Sequence, residues 1–433
     1  MKTVIHSVTI ITLNQNNDIF NGHVVVEDGK FKEVKKGAPD EKKLNQADYK
    51  INGQGKWLLP GFVNTHGHLG SSLLRGAGDD IPLMTWLKTV MWPNEQKFTQ
   101  EDVKIASSLA MVEMIKSGTT TFLDMYHLHM EQMAELTIES QMRGVLCRGM
   151  IGLCPEEEQR EKLNESIFLH QSFHGENDGK ISVALAPHAP YTCPPSFLEK
   201  VVDAAVKHKM WIHTHVAETA SEVKEHQENY QMSQVKHLEN IGLFKVPCLI
   251  AHGVHLDEHD MNILAENNVS VSHNPMSNLK LGSGIADIKK MISLGINVSI
   301  GTDSTASNNN LSMVEEMRFA ALIQKGLHQD PTVTKSDEIL KMATENGSKS
   351  LQLKGVDIIK EGSYADFILI SPDIAHLTPW NNERIHSHIV YSSESHDITD
   401  VFVQGKQIMK DRKLLYLDEE KIIFNAQNLL NHC

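Results

Sequence analysis

Residues 57–69 read WLLPGFVNTHGHL: an apolar β-type run that ends in a histidine, a glycine and a second histidine. The same grammar returns downstream, in TTTFLDM (119–125), VLCRGMIG (145–152), ISVALAPHAP (181–190), MWIHTHVAE (210–218), PCLIAHGVHL (247–256), NVSVSHNP (268–275) and NVSIGTDS (297–304). Between these eight runs lie stretches with apolar residues at helical spacing, such as 101–117 and 196–208. Strands that alternate with helices pair in parallel. Eight such units predict an α/β fold of the closed (β/α)8 TIM-barrel type rather than an open sheet.

The flanks differ. TVIHSVTIITL (3–13), GHVVVEDGKFKEV (22–34), YADFILIS (364–371) and DVFVQGKQIMK (400–410) are strand-like, with Gly and Asp turn signals. Neither flank holds enough strands for a core of its own, so the expectation is one small β-sandwich built from both chain ends, residues 1–56 and 358–433, around a barrel of residues 57–357.

Composition narrows the function. Hydrophobic residues make up 40% and charged residues 22%, and no apolar stretch reaches the length of a membrane span. No membrane role is expected. The N-terminal MKTVIHSVTIITLNQ is interrupted by His6, Ser7 and Thr9 and reads as a strand rather than a signal peptide. Five cysteines, Cys147, Cys154, Cys193, Cys248 and Cys433, are scattered without a CxxC pair, which argues against a disulfide framework or a thiolate zinc cage and points to the cytoplasm. A net charge of -14 with dispersed Lys and Arg makes nucleic acid an unfavourable partner.

The chain has 24 histidines, so position carries more than count. In an extended segment residues i and i+2 face one side, and His66 and His68 can therefore converge on one ion. Spacing alone is weak, because HLH at 127–129 and HSH at 386–388 share it. His66 and His68 are distinguished by lying at the C-terminal end of a barrel strand, where this architecture places chemistry. His188, His215, His252, His273 and Asp303 stand at the ends of later strands, and together they point to a metal or catalytic centre. His213, two residues before His215, reads either as barrel packing or as a neighbour of the ion. Ligands of N and O type suit zinc or iron, and an ion with an open position turns water into a usable nucleophile. Glu218, three residues past His215, can turn its carboxyl back over the site, although a glutamate there also suits a helix start.

Taken together, PGFVNTHGHL, HVAET, AHGVHL, SHNPMSNLKLGSG and GTDSTASNNN resemble the amidohydrolase superfamily, in particular its branch of 5-methylthioadenosine/S-adenosylhomocysteine deaminases. The likeness spans nearly the whole chain. It implies one zinc ion per subunit, with Fe2+ or another divalent ion as substitutes, held by His66, His68, His215 and Asp303. It further implies attack of a metal-activated hydroxide at C6 of the purine: Asp303 takes a proton from the water, Glu218 protonates N1 and His252 orients the hydroxide. A carbamylated lysine has no candidate, since the fourth strand ends in His188. By the same resemblance Glu95 would receive the ribose hydroxyls, Trp86 would cover the apolar side of the ligand, His188 would hydrogen-bond the nucleoside and Ser307 would line the pocket. Arg148, with Arg160 assisting, would meet the 5′ substituent. The expected partner is thus a small nucleoside, and the expected assembly a homodimer or homotetramer. Two departures, Gly67 between the paired histidines and Met276 in NPMSN, bear on substrate preference. Related readings keep the centre and change the ring to guanine, another purine or a chlorotriazine; a reading of another class is a non-catalytic scaffold, which predicts missing ligands.

Overall fold

Pro60 and Gly61 divide the opening run between two sheets. In the computed structural model, which describes residues 1–356 and 358–430, Trp57–Pro60 pairs with the chain ends while Phe62–Asn64 begins the barrel. Strands are numbered in chain order: β1 Lys2–Ile11, β2 Ile19–Glu27, β3 Lys30–Lys36, β4 Tyr49–Asn52, β5 Trp57–Pro60, β6 Phe62–Asn64, β7 Thr119–Tyr126, β8 Arg143–Met150, β9 Ile181–Pro187, β10 Ile212–Val216, β11 Cys248–His252, β12 Ser270–His273, β13 Val298–Ile300, β14 Phe367–Ile370, β15 Ile398–Val403, β16 Lys406–Lys410 and β17 Lys413–Leu414. The switch at residue 61 requires glycine: a Cβ there would lie 2.2 Å from the side chain of Thr120 on β7. Residue 357, where the sequence places the end of the barrel, lies outside the described residues, as does Cys433.

The eight parallel strands β6 to β13 stand side by side in chain order. The Thr65 N–H donates to Ile300 O at 3.1 Å and the Asp303 N–H to His66 O at 2.9 Å, which joins the first strand to the last and closes the barrel. Each of the eight runs contributes one strand to the barrel, and the first also supplies β5 to the other sheet. The intervening helices start where their sequence predicts: Gln100–Lys116 is opened by a reciprocal capping box between Thr99 and Asp102, and Pro195–His208 by proline at its first position. Strand parity sorts the side chains. Val63, Leu123, Val145, Cys147, Ala184, Ala186 and Leu249 pack in one interior cluster, whereas Phe122, Leu146, Leu185 and Ile250 join the layer beneath the helices.

The chain ends form one continuous nine-stranded sheet, ordered β17-β16-β15-β14-β5-β1-β2-β3 with β4 beside β1. It curls over on itself like a sandwich. Phe31 of β3 reaches Phe367 of β14 at 5.7 Å between ring centroids, and Phe367 stacks on Phe402 of β15 at 4.3 Å. Cys147, Cys154, Cys193 and Cys248 are all free thiols, and among the described residues no helix is long and apolar enough to cross a membrane.

A buried ion pair pins the curled sheet to the barrel. Arg143, at the start of β8, donates through Nε to Asp366 Oδ2 at 3.0 Å, and both side chains are almost fully buried. Removing one member strands the other charge in a low-dielectric setting, at a cost of about 3–5 kcal/mol. Asp366→Ala is therefore expected to lower the thermal unfolding midpoint clearly, and Arg143→Met/Asp366→Leu to recover part of the loss; an unchanged midpoint in Asp366→Ala would refute the role.

Candidate metal centre and its cavity

At the C-terminal ends of the barrel strands three imidazoles and one carboxylate face a common point. His66 and His68 follow β6, His215 lies in β10, and Asp303 follows β13. Asp303 Oδ1 lies 3.4 Å from His66 Nε2 and 3.2 Å from His68 Nε2, while His215 Nε2 lies 3.4 Å from His68 Nε2. An ion that takes four ligands at zinc-like distances of about 2.0–2.1 Å separates neighbouring ligand atoms by roughly 3.3–3.4 Å. The observed spacings match that tetrahedral edge.

Tautomers agree with the distances. His68 Nδ1–H donates to Met125 O at 2.5 Å, and His215 Nδ1–H donates to His188 O at 2.6 Å. His66 Nδ1 faces His213 Nε2 at 2.9 Å, and His213 Nδ1–H in turn donates to Leu249 O at 3.0 Å, so His213 accepts from His66. Each of these three imidazoles thus has its Nδ1 engaged by the protein and turns its Nε2 to the centre. Buried His66 Nε2 has no hydrogen-bond partner in the protein, as an atom reserved for a cation would not. His213 is therefore a support for His66, and its own nitrogens are both engaged.

Asp303 is fixed from behind. Its Oδ2 accepts from Ser277 Oγ at 2.5 Å and from Ser307 Oγ at 2.9 Å, which leaves Oδ1 toward the histidines. Ala217, His252 and Asp303 enter the left-handed region, with φ of 53°, 74° and 62°, so the chain turns sharply as three strands end; non-glycine residues adopt such angles at some cost, commonly at functional sites.

Beside these groups on the cavity wall, next to His252, sits Glu218. Its carboxyl is buried and is pushed up to about 8, first by desolvation and then by the Asp303 charge, so it holds a proton near neutral pH. The Glu218 N–H donates to the Glu222 carboxylate at 2.9 Å, which anchors this turn. His252 approaches Glu218 Oε2 to 3.7 Å through Nε2, and its Nδ1–H donates to Asn278 Oδ1 at 2.8 Å.

His68, His215 and Asp303 line a cavity enclosing about 120 Å3, whose wall also contains Trp86, Glu95, His188, Tyr191, Glu218 and Ser307. Trp86 is fixed by its indole N–H, which donates to Ala77 O at 3.0 Å, and it packs with Leu83 and Met91. Burial pushes Glu95 up to about 7. His188 receives its orientation from Thr192 Oγ1, 3.0 Å from Nδ1.

Not every residue singled out from the sequence reaches this wall. Arg148 alternates with Cys147 and Gly149 and so faces out of the barrel, where Nε donates to Glu165 Oε2 at 2.7 Å. It lines a second cleft, formed with residues 127–132 and the helix Glu156–Phe173, that meets the main cavity at His127. Arg160 is an exposed partner of Glu157. Met276 lies outside the cavity lining, its N–H donating to Glu316 Oε2 at 3.3 Å. His273 shares the outward parity of Val271, and neither of its buried ring nitrogens has a protein partner. Conversely, the sequence reading passed over Ser277 and Asn278, both inside the SHNPMSN segment, and Tyr191 and Glu222; the hydroxyl two places after a proline carries no metal signal until the fold sets it against Asp303.

Comparison with known proteins places this geometry. Residues 57–408 match the Amidohydrolase family. The chain belongs to that family. Among its amidohydrolase relatives, a 5-methylthioadenosine/S-adenosylhomocysteine deaminase from Halalkalibacterium halodurans is 49% identical over 98% of this chain and 97% of the relative. One from Shouchella clausii is 46% identical over 99% of both. The crystal structure of an adenosine deaminase from Xanthomonas campestris with bound zinc superposes with a TM-score of 0.92 at 29% identity, covering 99% of this chain and 98% of that one. The atrazine chlorohydrolase of Arthrobacter aurescens, in complex with zinc, shares the fold with a TM-score of 0.90 at 21% identity over 99% of this chain and 100% of its own. The centre is a divalent-metal site.

His213 acts on the ion only through His66, and supports of this kind commonly change metal affinity about 10–100-fold. His213→Leu is expected to lose its ion to a competing chelator at correspondingly lower chelator concentration, with circular dichroism unchanged. Retention equal to that of the unmodified protein would remove His213 from the centre.

Proposed function

We propose that this chain hydrolyses the 6-amino group of 5-methylthioadenosine and S-adenosylhomocysteine, releasing ammonia and the corresponding inosine derivative, with one zinc ion held by His66, His68, His215 and Asp303. The observation that carries the reading is Glu218: a buried carboxyl that keeps its proton, on the same cavity wall as His68, His215 and Asp303 and 3.7 Å from His252. That pairing suits addition of water to an electron-poor ring carbon, where negative charge develops on the adjacent ring nitrogen. Identity approaching one residue in two along the whole chain with deaminases of these nucleosides supports the substrate class.

A divalent ion in this position supplies Lewis acidity that brings the pKa of water toward neutrality. The protein residues manage protons around it. Asp303 Oδ1, with Oδ2 occupied by Ser277 and Ser307, is the acceptor for a proton leaving the attacking water. Glu218 donates its proton to N1 as the C6–O bond forms. His252, fixed through Asn278, directs its free Nε2 toward the attacking oxygen. Collapse breaks the C6–N bond: the amino nitrogen takes the proton held by Asp303 and leaves as ammonia, while the hydroxyl on C6 returns its proton to Glu218 and becomes the ring carbonyl. The buried setting strengthens each of these interactions.

Glu95 receives the ribose hydroxyls, Trp86 covers the apolar flank and His188 contacts the nucleoside. A 5′ substituent that leaves the cavity past His127 enters the second cleft, where Arg148 can grip a carboxylate if Glu165 yields. We further assign the enzyme to the cytoplasm, supported by its buried free thiols, and to a homodimer or homotetramer.

Ammonia release measured side by side on 5-methylthioadenosine, S-adenosylhomocysteine, adenosine and guanine is expected to favour the two thioethers; activity on guanine alone would refute the proposal. Glu218→Gln should lower kcat by about 10²–10⁴. In the unmodified enzyme kcat/KM should fall as pH rises through the Glu218 pKa, because the acid form is the active one, and the glutamine variant should lose that alkaline limb. Survival of the limb would assign it to another group.

A further inference from the structure

Outside the cavity lining, the connection between β14 and β15 carries a second set of ligating groups. It includes two single-turn segments, Ala375–Leu377 and Ser395–Asp397, that meet at their side chains. His376 Nε2 lies 2.9 Å from Asp397 Oδ2, and His396 Nε2 lies 3.3 Å from Asp397 Oδ1. The ligating atoms of the three side chains all fall within 4.8 Å of one another.

An ordinary ion pair accounts for half of this arrangement only. Asp397 Oδ2 is satisfied by the Glu394 N–H, which donates to it at 2.8 Å, and His376 Nε2 lies 2.9 Å from the same oxygen. Oδ1 is not: the Asp397 side chain is 0% exposed, and this oxygen has no hydrogen-bond partner, since His396 approaches it without hydrogen-bond alignment. An anionic oxygen buried in that way is costly unless a cation reaches it. Its 3.3 Å separation from His396 Nε2 is again the edge expected for two ligands of one tetrahedral ion at about 2.0–2.1 Å. On the opposite side of the same ring, Glu394 Oε2 lies 3.1 Å from His396 Nδ1. A carboxylate placed there keeps the proton on Nδ1 and directs the bare Nε2 at the ion. His376 and His396 are 36% and 63% exposed, so solvent can deliver an ion and complete its coordination.

We propose that His376, His396 and Asp397 form a second divalent-cation site, of zinc-binding chemistry, independent of the catalytic centre. Asp397 O also accepts from the Ser371 N–H at 2.9 Å, at the end of β14. An ion here clasps the two ends of the long β14–β15 connection, and closing such a loop removes freedom from the unfolded chain. Its effect is on stability, with no atom shared with the amidohydrolase cavity.

The test counts ions on the intact protein, loaded with its catalytic metal and dialysed against buffered micromolar free zinc. The unmodified chain is expected to hold one more zinc ion per chain than His376→Ala/His396→Ala, with equal deaminase activity, and to gain thermal stability on zinc addition where the variant does not. His396→Gln alone, which leaves the Asp397–His376 contact in place, serves as the gentler variant and should also lose the extra ion. Equal stoichiometry in all three proteins would overturn the proposal, whatever their activity. A missing catalytic ion would lower all three counts together, so the two sites are read separately.

Discussion

Everything at the barrel mouth depends on a mutual repulsion. Three imidazole nitrogens and one carboxylate oxygen are held within about van der Waals distance, each turned toward the same point, an arrangement that a cation shared among them makes favourable. The fold enforces it by committing the opposite nitrogen of every ring. Backbone carbonyls of Met125 and His188 hold two of them, and the His213–Leu249 relay holds the third. Because those acceptors belong to neighbouring strands, strand register is also ligand geometry. The paired serines on Asp303 apply the same logic to the carboxylate.

Glu218 depends on this arrangement in turn. A carboxyl so close to Asp303 and away from water keeps its proton, whereas Asp303, gripped through Oδ2 by two serine hydroxyls, turns Oδ1 outward as an acceptor. Two chemically similar side chains therefore take opposite roles, acceptor and donor, by placement alone.

Much of this was legible in the chain itself. The eight apolar runs and the paired histidines at a strand end were visible because barrel strands carry their chemistry at one end, a rule that survives without coordinates. Strand parity explains most of what was not. Arg148 and His273 stand at strand ends as plainly as His215 does, yet the two-residue period turns them outward, and from sequence the strand start was uncertain by enough to reverse the assignment. Ser277, Asn278 and Glu222 stayed hidden for another reason: their partners lie 26, 26 and 4 residues away, and no local pattern names a hydrogen-bond acceptor. The run at 57–69 read as one strand because its apolar character is continuous; only the different pairing of β5 and β6 separates it.

That division at Gly61 reaches into how the protein is made. β5 must find β14, more than three hundred residues downstream, while β6, directly after it, waits for the strand ending at Ile300. Contacts of such long range are slow to form, because the intervening chain must be closed before they contribute. During synthesis from the N-terminus, His66 and His68 emerge early and stand without Asp303 until the eighth barrel strand has left the ribosome. Assembly of the cluster is consequently a late event: His215 can join the two histidines only once the fifth barrel strand has emerged, and Asp303 completes the set last.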